Sequence, residues 1–301
     1  MAIRRVRSKW SKTAALLADP RLRELVPETR KFSRAALEDM LERYGMVYVK
    51  PVNGTFGKGV VRIERLAGPG PAWQIHYGDK KVRFPSFAAM FRRLSAVKLR
   101  RPYLVQRGIR LLANNGRPFD LRVMVQKNPH DRWESTGIIA RLARRGRAVT
   151  NYHSGGTPMS AERLLIRHTD APRMRRLFDR LRELGLQTAE ALDRRFPGIK
   201  EVGLDIGLDK SLTPWIIETN TAPDPFIFRK LPDRSVFRRI YRYAKAYGRF
   251  RKGSGRGRGR RGRSFRVRNL RLRKLRSLRR RSPKARSLRR RGNVRARRDV
   301  R

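Results

Sequence analysis

At Gly248 the sequence loses the means to form a core. Residues 249–301 hold 26 Lys/Arg against a single acid, Asp299, for a net charge of +25. Arg-Gly alternation at 255–263 passes into Arg-Leu and Arg-Arg-Arg blocks. So much like charge with so little apolar mass cannot bury enough surface to offset the entropy of ordering. The expectation is a disordered, solvated tail, in which Val267, Leu270, Leu275 and Leu278 recur near helical spacing and allow a basic helix on a polyanion. Any folded domain must therefore come from residues 1–248.

That remainder is itself basic, carrying +28 of the chain's +53. Such a field attracts polyanions, whether nucleic acid, anionic membrane or acidic polymer. Phe250 and Phe265 are the tail's aromatics, so any nucleic-acid binding there is expected to be electrostatic rather than stacked. The absence of cysteine excludes disulfides, thiolate zinc sites and a cysteine nucleophile. No stretch approaches the roughly 20 apolar residues of a membrane-spanning helix. The basic N-terminus lacks an apolar segment, so no secretory signal is expected and a cytoplasmic setting is.

Within residues 1–248 helical and β-type patterns interleave. Ser33 caps and Gly45 ends a helical run over 34–44. Short β-rich segments at 46–50, 60–64, 73–77 and 81–84 are separated by Gly and Pro turns, which suits antiparallel pairing. A helix over 86–97 places Phe87, Met90, Phe91 and Leu94 on one face. Strands near 103–106, 119–127 and 136–143 precede a long amphipathic helix, 173–195, with Leu177, Leu181, Leu184 and Leu192 inward. Strands at 201–208 and 214–219 and a helix near 235–247 complete the run. The expected class is α+β, with lobes at roughly 1–105 and 106–248 enclosing a cleft.

The chemistry-bearing residues lie far apart in the chain. Lys50 ends the strand Val47-Tyr48-Val49-Lys50-Pro51 four positions before the turn Gly54-Thr55-Phe56-Gly57-Lys58-Gly59, so its ammonium can reach phosphates held under that turn. This is no Walker A loop, because Gly59 and then a strand follow Lys58. Downstream, Asp205 and the pair Glu218 and Asn220 alternate with apolar neighbours on short strands. Glu218 and Asn220 share a face, as two ligands to one ion must. Hard oxygen donors of this kind suit magnesium or manganese.

Together these residues resemble the ATP-grasp superfamily, and most closely its endospore coat-associated branch, the YheC/YheD type. The likeness covers almost all of residues 8–248. It is carried by Ser8-Lys9-Trp10, Leu25-Val26-Pro27-Glu28-Thr29, Tyr48-Val49-Lys50-Pro51, Gly116-Arg117-Pro118-Phe119-Asp120-Leu121-Arg122-Val123, Gln126-Lys127-Asn128, Thr150-Asn151 before Gly155-Gly156, and Glu218-Thr219-Asn220. The resemblance implies a two-lobed ATP-grasp fold whose antiparallel sheets enclose a nucleotide cleft. It implies that Lys9 and Lys50 contact ATP, that Gly54, Gly57, Lys58 and Gly59 form a mobile phosphate lid, and that Asp205, Glu218 and Asn220 bind Mg2+. Asp120 enters the cleft with Arg122, and Arg141 and Asn151 flank the reacting phosphoryl group. Gln106-Arg107 stands where many members carry an acid or amide pair for adenine. The usual N-terminal domain ahead of the core is expected to be absent here.

The function so implied is an ATP- and magnesium-dependent ligase that joins a carboxylate to an amine through an acyl phosphate, in a spore coat-associated setting. The alternative is a non-catalytic polycationic protein that binds nucleic acid or an acidic polymer through its tail and keeps the fold as a scaffold.

Overall fold

Capping chemistry sets the first lobe's helices. Ser33 Oγ accepts from Ala36 N at 3.0 Å to open α2 (Arg34–Tyr44), and Gly45 closes it with φ +65°. Ser86 does the same for α3 (Phe87–Val97), accepting from Ala89 N at 3.2 Å. The computed structural model describes residues 3–55, 57–70, 72–146 and 155–250. Residues 251–301 of the expected tail and Asn151 lie outside the described residues.

Alternation folds β2 (Met46–Pro51), β3 (Val61–Arg65), β4 (Trp73–Tyr77) and β5 (Lys80–Phe84) into an antiparallel meander. On its other side β2 pairs with β6 (Tyr103–Arg107), which pairs with the three-residue β1 (Thr29–Lys31), completing a six-stranded sheet. Val47, Val49, Ile63, Ile75 and Val105 on one face pack with Leu37, Met40 and Leu41 of α2 and Met90 and Leu94 of α3. Each such side chain fully buried contributes roughly 1.5–3 kcal/mol.

The second sheet runs β10 (Thr157–Met159), β9 (Trp133–Leu142), β8 (Arg117–Lys127), β11 (Glu201–Leu208), β12 (Pro214–Asn220), with β7 (Ala113–Asn114) paired to β8. All its pairings are antiparallel. One face is covered by α5 (Ala171–Arg195), opened by Asp170, and by α4 (Ala161–Leu165). Phe119, Leu121, Val123, Leu204 and Ile206 meet Leu177, Leu181, Leu184 and Leu192 there. The opposite face is divided. Its Met124–Ile139 end is covered by α6 (Arg234–Ala246) and the 3-10 turn Phe226–Lys230, through Ile227, Phe228 and Ile240. The other end carries the charged residues.

The lobe boundary differs from the expectation in one respect. Residues 1–105 do not share one core, because Leu16, Leu22 and Val26 pack into the second sheet's cluster. Leu16 belongs to α1 (Lys9–Leu17), a helix that the apolar pattern did not reveal.

Candidate functional site

Strand register assembles the site. The alternation that sends Phe119, Leu121 and Val123 into the core sends Asp120 and Arg122 to the opposite face. Across the sheet, Asp120 pairs in register with Arg141 of β9, and Asp205 stands between Arg122 of β8 and Glu218 of β12. A register irregularity falls between Asp205 and Ile206. Asn220 follows Glu218 by two positions, beside Gly203. Six of the expected site residues thus sit on one half-face of one sheet.

The ion pairs there are tight and dry. Arg141 forks onto Asp120, with Nε to Oδ1 at 2.8 Å and NH2 to Oδ2 at 2.5 Å, and reaches Asp205 Oδ2 at 3.1 Å. Arg122 Nε donates to Asp205 Oδ1 at 2.6 Å. Burial would raise the Asp205 carboxyl, but the charges of Arg122 and Arg141 outweigh it and hold the group well below the usual carboxylate range. For Arg141 burial works against the charge, yet Asp120 and Asp205 hold it firmly protonated.

Two other elements bring cations to this face. Lys9 opens α1 after the Ser8 cap; its Nζ donates to Gly54 O at 2.9 Å and pairs with Glu218 Oε1 at 2.9 Å. Lys50 of β2 donates to Gln106 Oε1 at 2.8 Å and, across to the second sheet, to Ile217 O at 3.1 Å. Burial pushes the Lys50 ammonium down to about 8, against the opposing pull of Glu218. Gln106 donates in turn to Thr29 Oγ1 at 3.0 Å. Its side chain thus anchors Lys50, and it is not among the residues lining either cavity described next.

Two cavities meet at Gly57, Val60, Arg141, Asp205 and Glu218. The first, about 340 Å³, has apolar walls from Pro27, Met46, Ile109, Leu111 and Ile217, with Tyr48, Lys50 and Asp120 at its edge. The second, about 390 Å³, is lined by Lys9, Gly54, Thr55, Lys58, Arg122 and Asn220 and runs outward to Pro223, Phe226 and Arg249. Gly59 does not line either. It stands at φ +77°, where a Cβ would come within 2.7 Å of the Tyr103 hydroxyl, so it sets the course of the turn rather than its contacts.

Four participants, Lys12, Arg62, Arg110 and Arg249, escaped sequence reading. Lys12 lies one helical turn after Lys9, is only 4% exposed, and has its ammonium pushed down to about 8 by burial, with Glu218 opposing. The available signal was its spacing of three from Lys9 behind a capping serine. Arg62, Arg107 and Arg110 line the first cavity, and Arg249 the second. Nothing sets these arginines apart in so basic a sequence.

Two carboxylates and an amide on one face make a hard-oxygen donor set that fits Mg2+ or Mn2+. Among the described residues no group of three His, Cys, Asp or Glu could hold a metal unaided.

Two antiparallel sheets, with joined cavities beside Lys9, Lys50, Asp205 and Glu218, fit the two-lobed fold and cleft that the sequence resemblance implied. This chain belongs to the YheC/D-like ATP-grasp family, whose pattern matches residues 3–250. It is 26% identical over 227 residues to the endospore coat-associated protein YheD of Bacillus subtilis (strain 168), covering 73% of this chain and 49% of YheD. To YheC of the same organism it is 25% identical over 219 residues, covering 71% of this chain and 59% of YheC. The chain thus spans about half to three-fifths of the length of these relatives. Among solved structures, the ATP-grasp ligase PsnB, complexed with a phosphomimetic variant of its minimal precursor, Mg and ADP, aligns at 14% identity. That alignment covers 79% of this chain and 58% of PsnB, with a TM-score of 0.45. No helix of the described residues is long and apolar enough to cross a membrane.

Proposed function

We propose that this chain is an ATP- and magnesium-dependent carboxylate–amine ligase working through an acyl phosphate. The observation that carries the reading is the boundary shared by the two cavities, where Arg141, Asp205 and Glu218 stand between a chamber walled in part by Pro27, Met46, Ile109, Leu111 and Ile217 and one lined by Lys9, Lys58 and the glycine turn. A purine fits the first, and a triphosphate reaching past that boundary lies among Lys9, Lys50, Lys58 and the bare backbone of the glycine turn. Asp205, Glu218 and Asn220 would hold the metal, which would offset the negative charge of the phosphates. Lys9 and Lys50 hold the β- and γ-phosphates in place. Arg122 and Arg141 stabilise charge on the transferring group and orient it for in-line attack. Asn151 is proposed to flank that group.

A substrate carboxylate oxygen attacks the γ-phosphorus and ADP departs, leaving an acyl phosphate. The amine then attacks its carbonyl carbon, phosphate leaves with the bonding pair, and the nitrogen loses a proton to form the amide. The names of the relatives support a spore coat-associated setting. The test is mass spectrometry after incubation with ATP, magnesium and pools of amino acids or acidic peptides. The expected result is ADP and a product lighter than its two substrates by one water. ADP released without a coupled product, in every pool, would overturn the ligase reading.

A further inference from the structure

The second cavity does not end at the phosphate-binding cations. Its outer wall is Pro223, Asp224, Pro225, Phe226 and Arg249, and Phe226 belongs both to that wall and to an exposed ladder of rings. From Phe226 the ladder reaches Phe237 and Phe250, each at 6.1 Å between centroids. Tyr241 joins Phe237 at 5.8 Å and Phe250 at 5.1 Å. Phe226, Tyr241 and Phe250 stay 42%, 40% and 40% exposed, although large rings in water are costly unless something covers them. Arg229 lies 4.8 Å from the centroids of both Phe226 and Phe237. Around the rings, the exposed side of α6 presents Arg234, Arg238, Arg242 and Lys245, and the helix itself contains no acid. The nearest acids in sequence are Asp233, which caps α6, and Asp224, on the cavity wall.

Arg249 is built into this wall. It pairs with the fully buried Glu201 and donates from NH2 to Pro223 O at 2.7 Å, which fixes the guanidinium while leaving it at the cavity edge. Glu201 is itself held by Arg5 and by the Tyr247 hydroxyl at 2.8 Å. A cation held this rigidly at the mouth, with Arg122 and Arg141 deeper in, makes a graded path for a carboxylate.

We propose that this face is the docking surface for an acidic polypeptide, which lies along the rings and arginines of α6 and delivers one of its carboxylates past Arg249 to the phosphates. The inference rests on the ligase reading and adds the substrate class. A small acid would be contained by the cavity and would leave the ladder without a purpose. A polypeptide accounts for both, because its apolar and aromatic side chains cover the rings while its acids meet the helix.

The test uses the full chain, so that the basic tail is the same in every sample. The probe is a fluorescein-labelled peptide of alternating Glu and Tyr, titrated with ATP and magnesium present, against single-stranded DNA of equal charge. The variants are Tyr241→Ala with Phe250→Ala, and Arg238→Glu with Arg242→Glu, all at exposed positions outside the core and the cavity lining. Each pair is expected to weaken peptide binding by about tenfold, as truncating anchor residues does, while ATP affinity stays constant. Unchanged peptide affinity in both would overturn the proposal. So would an equal or larger loss for DNA, which would make the face a nucleic-acid surface. If the wild type bound peptide but not ATP, the ligase reading would fail while the docking result stood.

Discussion

Asp205 shows how a metal-ligand assignment and a stability assignment diverge at one side chain. Its carboxylate compensates two buried guanidiniums, so Asp205→Asn should do more than remove a ligand. Leaving Arg122 and Arg141 short of a partner should cost about 3–5 kcal/mol of stability. Glu218 is 25% exposed and pairs with Lys9, so Glu218→Gln should cost less stability than Asp205→Asn. It should still weaken magnesium-dependent ATP binding by at least about tenfold. Calorimetry and a melting curve on each variant check both claims, and equal ATP affinity in both would sink the metal assignment. Lys50 adds a pH signature. Its folded value is about 8 against an ordinary 10.5. Between those values the unfolded chain holds the extra proton, so this group makes the ligand-free protein more stable as pH rises from about 8 to about 10.5. Phosphate needs the ammonium, so ATP affinity should fall over the same interval. In Lys50→Met the stability gain should shrink, which denaturant titrations across that range would show.

Among the elements, those with an apolar face and a capping residue are legible in the sequence. The helix between Ser33 and Gly45, the strands carrying Lys50 and Asp205, and the long helix with Leu177, Leu181, Leu184 and Leu192 inward stand as expected. Helix α1 was hidden for a physical reason. Its buried positions are Lys9, Lys12 and Leu16, which is helical spacing written largely in charges because that face looks onto the site. The resemblance implied that Asp120 and Arg122 enter the cleft, but their pairing with Arg141 and Asp205 needed the register. Gln106 stands where the resemblance relates a residue pair to adenine, and its amide oxygen accepts from Lys50. Helix α1 also yields a controlled comparison. Ser8→Ala and Ser33→Ala each remove a hydroxyl that accepts from a backbone N–H, at 3.1 and 3.0 Å, and each should cost about 1 kcal/mol. Only Ser8→Ala should also weaken ATP binding, since only α1 carries Lys9. Matching ATP affinities in the two variants would separate α1 from the nucleotide.

For the molecule as a whole, the expected boundary near Gly248 predicts a partition of activities. Deleting residues 251–301 should preserve folding and ATP binding, because two-sheet packing involves residues before that point. Binding of long polyanions at low salt should drop sharply on deletion, and in the full chain it should fall steeply as salt rises. If truncation left that binding intact, the basic face of the folded region would be the true contact. Loss of the folded state would instead place the boundary wrongly.

The ion pairs of the cleft have one more consequence. Lys9 is matched to Glu218, Arg122 to Asp205, and Arg141 to Asp120 and Asp205. On the proposed reading, a nucleotide alone must take cations from acids that then stand bare, and a divalent ion alone must take acids from bare cations. Arriving together, the two exchange partners without stranding any charge. Metal and nucleotide should therefore be linked, each raising the other's affinity by the same factor, as reciprocity requires. Titrating each in the absence and presence of the other, then comparing the two ratios, measures that coupling directly.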